Sequence, residues 1–446
     1  MTETDGRQLG YWEVTAIGVG GMVGGGIFAV LGLAVQWAHG GTPLAFTVAG
    51  GVAILTAYSY VKLSAAYPSR GGTVAFLDRA FGPGLLTGSL NILLWLSYIV
   101  MLSLYAYAFG SYGAAFVPES FQPLGKHVLT SASIIAITAL NMLSAKAIGR
   151  AESWIVALKL LILLLFVAVG LHGVSVQRLA PSAWSPSSYI IAGGMIIFLA
   201  YEGFELIANA AEDVRNPTVT LPRAYYSAVS FVILLYVLIA LVSVGNLPVA
   251  DIVAAKDYAL AEAAKPFMGR SGFALIAIAA LLSTASAINA TLYGTARVSY
   301  IIAKDGELPA QLEEKVWNEP IEGLLITSGA TLFVANVFDL SSISIMGSAG
   351  FLLVFGAVNT ANALHAVRTR SYRWVSAAGV AACLGALAAL VWQTAHTSPQ
   401  HLWTLVVMVL LAVGIEAAYR GITRRRIHVS HSHSRSAAHA DGPYQQ

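Results

Sequence analysis

The segment Gly18-Val-Gly-Gly-Met-Val-Gly-Gly-Gly-Ile-Phe28 lies inside the first apolar stretch of the chain. Gly24, Gly25 and Gly26 fall roughly 18 to 21 Å from Trp12 by helix rise, which is near the middle of a bilayer. Three consecutive glycines weaken a helix by about 1 kcal/mol each relative to alanine, and they permit backbone conformations that other residues resist. We therefore predict that the first helix breaks near the midplane. Close helix packing through the same small residues is an alternative that can coexist with a break.

A second interruption lies in the sixth apolar segment, where Phe198-Leu-Ala-Tyr-Glu-Gly-Phe-Glu205 falls about halfway through the span. A carboxylate in hydrocarbon is costly, so Glu202 and Glu205 are hard to place on a lipid-facing helix. A broken helix that lines a wet cavity accommodates both carboxylates and Gly203. The sequence therefore predicts a second break, ahead of a helix end near Pro217.

The composition is that of a membrane protein, with 57% hydrophobic and 11% charged residues. It excludes an ordinary soluble domain, and continuous rather than alternating apolar runs exclude a β-barrel. The predicted fold class is an all-α polytopic membrane protein with twelve transmembrane helices. These helices are expected near residues 12–37, 44–66, 85–117, 128–148, 151–174, 187–213, 222–246, 267–302, 321–338, 341–366, 373–395 and 402–420.

The distribution of positive charge predicts the orientation in the membrane. Nineteen of the 25 lysine and arginine residues fall on the side of the N-terminus, five fall on the other side, and Lys159 lies within a span. By the positive-inside rule, both termini are expected in the cytoplasm of a protein integral to the plasma (inner) membrane. The net charge of +3 reflects this topology, so no nucleic-acid partner is expected. The first apolar stretch is too long for a secretory signal, and no cleaved signal is predicted.

Cysteine and histidine usage predicts no metal site and no cofactor. The single cysteine, Cys383, lies in an apolar helix and supports neither a disulfide nor a thiolate site. The segment His428-Val-Ser-His-Ser-His433 is interpreted as part of a disordered polar tail in preference to a weak metal site.

The two interruptions suggest an internal repeat. Helices one and six are equivalent members of two five-helix units of opposite orientation, and the long helices three and eight correspond under the same offset. Paired breaks at corresponding positions indicate a secondary-transporter site, because half-helix ends can hold a carboxylate and an ammonium. The predicted segments are a cytoplasmic tail 1–10, a first repeat 11–174, a second repeat 187–367, two further helices 372–420 and a disordered cytoplasmic tail 421–446.

Lys159 is a charge inside the apolar run Ile155-Val-Ala-Leu-Lys-Leu-Leu-Ile-Leu-Leu-Leu-Phe166. Such a charge costs about 2.5 to 3.5 kcal/mol on insertion scales. The ammonium lies about 12 Å deep if the helix enters near Ala151, so we expect it to face protein. Burial disfavours the charged form, and the residue could therefore cycle between charged and neutral. A snorkelling or statically paired lysine is the alternative.

Four motifs in order resemble the amino acid, polyamine and organocation transporter superfamily, over residues 10–420. They are Val23-Gly-Gly-Gly-Ile-Phe28, Tyr67-Pro-Ser-Arg-Gly-Gly-Thr73 with Ala80-Phe-Gly-Pro83, Ala200-Tyr-Glu-Gly-Phe-Glu205 with Asn216-Pro217, and Ala303-Lys-Asp-Gly-Glu-Leu-Pro309. The resemblance implies the leucine-transporter-type fold, with a 5+5 inverted repeat. Lys159 is similar to the fifth-helix lysine of proton-coupled permeases, where the ammonium takes the place of a structural sodium. The expected coupling ion is therefore H⁺, and no Na⁺ is expected.

The resemblance also implies a substrate site for an L-amino acid. Its carboxylate would bind the amides of Gly24, Gly25 and Gly26, and its amine would lie near the carbonyls of Met22 and Phe198. A third glycine here replaces a polar residue common in the family, so a hydroxyl contact is lost. The third helix would line the pocket with Tyr98, Met101 and Leu102. The predicted substrate-binding residues are Met22, Gly24, Gly25, Gly26, Tyr98, Met101, Phe198, Tyr201 and Glu202.

A second set of residues is predicted to carry proton coupling. Glu205 matches an acidic family position linked to gating or proton sensing, whereas Glu202 stands where many relatives are apolar. Glu202 could attract a cationic side chain or pair with an amine of the protein. Ser283 and Ser286 offer hydroxyls for the lysine ammonium, although such hydroxyls also occur in ordinary helix packing. The predicted proton-coupling residues are Lys159, Glu205, Ser283 and Ser286.

These expectations combine into a proton-coupled amino acid symporter that works by alternating access. One alternative is an obligate exchanger of amino acids or polyamines in which Lys159 is structural. An alternative of another class is a non-transporting membrane sensor of amino acids. No enzyme is expected, because no nucleophile or metal-ligand pattern stands out. The sequence predicts neither the particular amino acid nor an oligomeric state.

Overall fold

The computed structural model of the chain describes residues 8–143, 145–304 and 321–423. Over these residues the secondary structure is helical apart from two isolated bridges, Leu9 to Val214 and His39 to Trp184. Residues 305–309 of the fourth family motif, the tail from residue 424 onward and residues 1–7 lie outside the described residues.

Up to Gly170, the described residues form seven α-helices. They are α1 (Tyr11–Met22), α2 (Gly26–Ala38), α3 (Thr42–Ala66), α4 (Gly72–Phe81), α5 (Leu85–Ala114), α6 (Gln122–Leu143) and α7 (Ala145–Gly170). After Gly170 the chain continues with α8 (Val176–Leu179), α9 (Ser187–Ile196), α10 (Leu206–Asn209), α11 (Pro217–Asn246), α12 (Val249–Ala254), α13 (Ala259–Lys304), α14 (Ile321–Val337), α15 (Leu340–Leu364), α16 (Ala366–Thr369), α17 (Arg373–Thr397) and α18 (Leu402–Thr423).

The first span is broken at the glycine run, as predicted. α1 ends at Met22, α2 begins at Gly26, and the two helices meet at an angle of 47°. Close approach requires glycine here, because a Cβ on Gly25 would lie 2.4 Å from Cδ1 of Tyr105. A Cβ on Gly26 would lie 3.0 Å from the Cα of Ala200 in the sixth span. The break is therefore held against two other spans.

The sixth span is also broken. α9 is followed by a 3₁₀ helix from Phe198 to Glu205 and then by α10, with a bend of 43° between the two parts of the span. The two broken spans touch where their breaks meet, because a Cβ on Gly203 would lie 2.2 Å from the carbonyl carbon of Gly21. Glycine at both positions thus lets two interrupted backbones pack directly on each other.

Among the described residues, nine helices are long and apolar enough to cross a membrane, or eleven spans if each bent pair counts once. A shorter apolar helix covers Glu322–Val337. Large apolar side chains such as Leu161, Phe333 and Trp403 are exposed on the outside of the bundle, as expected for a surface that faces lipid. The chain is therefore an all-helical, multi-pass membrane protein.

Burial identifies α5 and α15 as the central helices, whereas α17 and α18 lie at the periphery with much of their surface exposed. α5 runs beside both breaks and carries Tyr98 and Tyr105, which are buried. The site is thus built on a helix that is enclosed by the rest of the bundle.

Several helix ends differ from the sequence-based expectation. α6 and α7 each begin about six residues earlier than predicted, at Gln122 and Ala145. α13 begins at Ala259 and includes a non-helical residue, Gly269, with φ 64°. The sequence placed no helix between residues 66 and 85, yet α4 occupies Gly72–Phe81. This helix is short and amphipathic, so a search for apolar spans does not detect it.

Candidate functional site

The break in the first span frees backbone carbonyls, and side chains from other helices donate to them. Tyr236 Oη on α11 lies 2.7 Å from the carbonyl oxygen of Met22. Ser283 Oγ on α13 lies 2.8 Å from the carbonyl oxygen of Gly24 and 3.3 Å from that of Val23. Exposed carbonyls in a membrane interior need such partners, so these contacts stabilise the break.

Lys159 also binds this end of α1. Its side chain is only 1% exposed, and Nζ lies 3.3 Å from the carbonyl oxygen of Gly20. The carbonyl end of a helix carries partial negative charge, which suits an ammonium group. The expectation that Lys159 faces protein is confirmed. α7 is thereby joined to the last turn of α1 through the amine of Lys159.

The two predicted serines of α13 have different surroundings. Ser283 donates to the carbonyls of Val23 and Gly24, so it meets the same broken end that Lys159 meets. Ser286 is buried one turn further along the helix. Both residues therefore lie on the part of α13 that packs near the first break.

Glu205 is the acceptor at the centre of a hydroxyl cluster in the sixth span. Its carboxylate is 1% exposed and accepts from Tyr98 Oη at 2.5 Å, from Thr73 Oγ1 at 3.0 Å and from Tyr60 Oη at 3.1 Å. These three donors come from α5, α4 and α3. A single carboxylate thus connects the second break to three separate helices.

Glu202 lies one 3₁₀ turn before Glu205 and is 3% exposed. Its carboxyl group lies close enough to that of Glu205 for the two groups to interact. Tyr105 and Tyr236 are its neighbours on the side of the glycine break. Within the described chain, no hydrogen-bond donor reaches Oε2 of Glu202.

The remaining predicted substrate residues line the same buried region. Tyr201 Oη donates to the carbonyl oxygen of Phe46 at 3.1 Å, and its ring lies 5.2 Å from that of Tyr236. Phe198 packs edge-on against Phe355 with a centroid separation of 6.0 Å. Met22 and Met101 are also buried. Met22, Phe198 and Tyr201 thus lie at the two breaks, and Met101 is buried on α5.

Five contributors were not predicted from the sequence: Tyr60, Thr73, Tyr105, Tyr236 and Ser348. Ser348 on α15 accepts from the amide of Leu199 at 3.1 Å and donates to the carbonyl of Ile196 at 3.0 Å, which stabilises the second break. All five carry a hydroxyl, and all except Thr73 lie inside long apolar helices. A hydroxyl is a weak signal, since serine and threonine commonly donate to their own helix backbone.

Contacts close both ends of the bundle above and below this site. At one end, Lys126 Nζ lies 2.6 Å from Asp257 Oδ2, which Tyr107 Oη also approaches at 3.3 Å. At the end that carries the N-terminus, Arg70 Nη2 lies 2.9 Å from Asp213 Oδ1. This ion pair and hydrogen bond raise the pKa of Arg70, which is charged in any case.

The N-terminal segment adds backbone bonds to the second closure. The amide of Leu9 donates to the carbonyl of Asp213 at 3.0 Å, and the amide of Arg215 donates to the carbonyl of Leu9 at 2.9 Å. The chain before α1 is therefore bonded to the segment that follows α10. The site is enclosed from both directions in this conformation.

The family profile described as "Amino acid permease" matches residues 9–413, which is most of the chain. The chain belongs to the amino acid permease family. The resemblance to the amino acid, polyamine and organocation superfamily is thereby confirmed. Members of this family are integral membrane transport proteins, so the chain is a membrane transporter.

Individual relatives agree with this assignment. An uncharacterized protein of Methanocaldococcus jannaschii is 42% identical over 360 residues, covering 79% of this chain and 81% of the relative. The inner membrane transport protein YbaT of Escherichia coli is 36% identical over 363 residues, covering 80% and 84%. The branched-chain amino acid permease BcaP of Bacillus subtilis is 27% identical over 333 residues, covering 69% of each.

Proposed function

We propose that this permease is a proton-coupled amino acid symporter with the leucine-transporter-type fold. It would have twelve spans, a 5+5 inverted repeat and both termini in the cytoplasm, and it would work by alternating access. The observation that carries the proposal is the contact between Lys159 and the carbonyl of Gly20. It places an ionisable group at the broken end of α1.

Proton coupling follows from what this contact does in each protonation state. An ammonium donates to the carbonyl of Gly20 and complements the negative end of α1. A neutral amine loses the charge, so α7 is held less strongly against α1. Moving the equilibrium between outward-open and inward-open forms from 1:99 to 99:1 needs about 5.5 kcal/mol of differential binding free energy. Substrate and proton can supply this together. The ammonium also supplies a positive charge at a place where the resemblance implies a sodium ion in related transporters.

The substrate class follows from the two breaks. The amino end of α2 offers the backbone of Gly24, Gly25 and Gly26 to a carboxylate, and helix amino ends favour anions. The carbonyl end of α1 suits an ammonium group. A substrate carboxylate beside Gly25 requires the ring of Tyr105 to move, since that ring now lies against the glycine. The site therefore fits an L-amino acid and implies a second, open conformation.

The names of the relatives support an amino acid substrate, but they do not agree on the side chain of that substrate. Proteins 27% and 28% identical are named for branched-chain amino acids and for cationic amino acids, and another is named a methylthioribose transporter. An obligate exchanger with a structural Lys159 is the competing transport mechanism. A sensor that binds an amino acid without moving it is the competing function of another class.

Uptake into proteoliposomes tests the proposal. The purified protein is given a panel of radiolabelled L-amino acids with an imposed inward proton gradient, with a sodium gradient instead, and with neither. We expect accumulation under the proton gradient alone. Flux that requires a counter-substrate inside and ignores the proton gradient would establish an exchanger. Saturable binding without flux in any condition would establish a sensor.

A further inference from the structure

Glu202 and Glu205 lie on one face of the sixth-span break. They are three residues apart in a 3₁₀ helix, and side chains at that spacing eclipse each other. Both are nearly inaccessible, at 3% and 1% exposed, and the spacing brings their interacting carboxyl groups to the same side of the helix. Two carboxyl groups are therefore held together away from solvent.

Among the described residues, the hydroxyls that donate to this pair go to Glu205. Tyr98 donates to Oε1, while the hydroxyls of Tyr60 and Thr73, which lie 2.8 Å apart, both approach Oε2. In the part of the chain that the structure describes, no donor reaches Oε2 of Glu202. The carboxylate of Glu205 is thus well stabilised, whereas this oxygen of Glu202 lacks a donor to stabilise a negative charge.

The ion pairs found among the described side chains do not include Glu202 or Glu205. Five phenols face the pair: Tyr60 on α3, Tyr98 and Tyr105 on α5, and Tyr225 and Tyr236 on α11. Two anions in contact in such surroundings repel strongly.

A single proton removes this repulsion. If Glu202 carries it, the carboxyl O–H donates to the carboxylate of Glu205, in addition to the hydroxyls that surround that carboxylate. We propose that Glu202 is a second proton-binding residue of this transporter, distinct from Lys159, whose carboxylic acid form donates a hydrogen bond to Glu205. This deepens the proposed function, on which it rests for its role in transport.

The consequence is a proton-dependent connection across the site. With the proton in place, Glu205 joins the second break to α3, α4 and α5 through its three hydroxyl donors. Loss of the proton would put two charges in contact and weaken that cluster. The sixth-span break would then separate from the central helix α5 more easily.

Infrared difference spectroscopy tests the protonation state directly. Spectra of the purified protein in H₂O and D₂O are compared for wild type, Glu202→Gln, Glu205→Gln and Glu416→Gln. We expect the deuterium-sensitive carboxylic acid C=O band of wild type to be absent from Glu202→Gln. Glu416 is the matched control, because it is equally buried at 1% exposed but pairs with Arg420. The Glu416→Gln variant should therefore retain the carboxylic acid C=O band.

Thermal unfolding of the same proteins gives a second readout. Glu202→Gln should keep a melting temperature near that of wild type, because the amide can still donate to Glu205. Glu202→Ala should melt several degrees lower, because a buried carboxylate loses a donor. The inference is wrong if Glu202 contributes no carboxylic acid band, or if Glu202→Gln melts well above wild type as relief of repulsion requires.

A substrate-binding assay separates this inference from another possibility, in which Glu202 is ionised and binds a cationic substrate. Selective loss of arginine and lysine binding in Glu202→Gln, with neutral amino acids unaffected, would overturn the proposal. Failure of proton-driven uptake in wild type would instead refute the proposed symport while leaving the infrared result valid. The two failures are therefore distinguishable.

Discussion

Lys159 Nζ lies 3.3 Å from the carbonyl oxygen of Gly20, two residues before α1 ends at Met22. This contact joins α7, which continues past Lys159, to the end of α1, where the regular helical hydrogen bonds stop. The carbonyls of a broken helix need donors, and under the proposed function this donor also loses its proton, which would make the contact reversible. The geometry thus explains why a charge is tolerated in the middle of α7.

The Lys159→Ala variant should retain substrate binding and lose uptake driven by a proton gradient, because the groups that would hold the substrate carboxylate lie on α2. Lys159→Arg should fail in the same assay, since a guanidinium does not release its proton at physiological pH. Uptake into proteoliposomes at several imposed gradients is the measurement. Lys265→Ala, a change at a half-exposed lysine, is the matched control.

A statically paired lysine predicts a different result for these variants. Arginine would then preserve substantial transport, and that transport would still respond to the gradient. Robust proton-driven accumulation by either variant would refute the coupling role of Lys159.

Gly25→Ala should weaken substrate binding by about tenfold or more, as expected when a group is displaced from a close backbone contact. The new Cβ would lie 2.4 Å from Tyr105 Cδ1 and 2.8 Å from Thr284 Cγ2, so the break must shift. Scintillation-proximity binding of the purified variant measures the effect. Gly51→Ala on α3 is the control, because no atom lies within 4 Å of its added Cβ.

If Gly25→Ala bound substrate with wild-type affinity, the substrate carboxylate would not bind at this break. A fall in affinity for Gly51→Ala of the same size would instead indicate a general loss of folded protein. Thermal unfolding of both variants distinguishes these outcomes.

Tyr98→Phe should lower the melting temperature, because Oε1 of Glu205 loses a short hydrogen bond in a buried site. A buried acceptor left without its donor costs about 1 to 3 kcal/mol. Tyr372→Phe is the control, since that side chain is mostly exposed. Equal melting temperatures for Tyr98→Phe and wild type would mean that the hydroxyl cluster contributes nothing to stability.

The sequence alone was sufficient to predict the two breaks and the buried lysine, because each is a local violation of an apolar pattern. Three glycines in a row, two glutamates in one span and one lysine in another are visible without any knowledge of packing. The convergence of Tyr60, Thr73 and Tyr98 on Glu205 was not predictable in this way. It depends on the packing of helices that are distant in the chain, and local periodicity does not encode it.

Helix α4 gives a second reason why the sequence did not predict the hydroxyl cluster. Its ten residues include Thr73, which donates to Glu205, but they are too short and too polar to resemble a span. Ser283 shows a third reason. Its spacing predicts a hydroxyl near the lysine ammonium but does not reveal that this hydroxyl donates to the carbonyls of Val23 and Gly24. Side-chain type and spacing indicate a polar contact, but its partner depends on where the backbone is broken.

Arg70→Asp should loosen the closure at the end of the bundle that carries the N-terminus, because it places a third carboxylate beside Glu212 and Asp213, with which Arg70 forms ion pairs. The contact between Arg70 and Asp213 is exposed, so we expect a change of about two- to fivefold in the population of the open form. The reporter is a cysteine at Ala208, a fully buried position on α10, placed in a Cys383→Ser background. Its labelling rate with a water-soluble thiol reagent should rise in Arg70→Asp.

The charge-swapped double variant, Arg70→Asp with Asp213→Arg, distinguishes attraction from simple disturbance of the loop. If the ion pair stabilises the closed form, the double variant should label Ala208→Cys at a rate near that of the parent protein, while each single variant labels faster. High salt should reduce the difference between parent and single variants, because exposed charges are screened. Labelling that is equally fast in the double and single variants would show that the backbone bonds between Leu9 and the segment 213–215, and not the ion pair, keep this end closed.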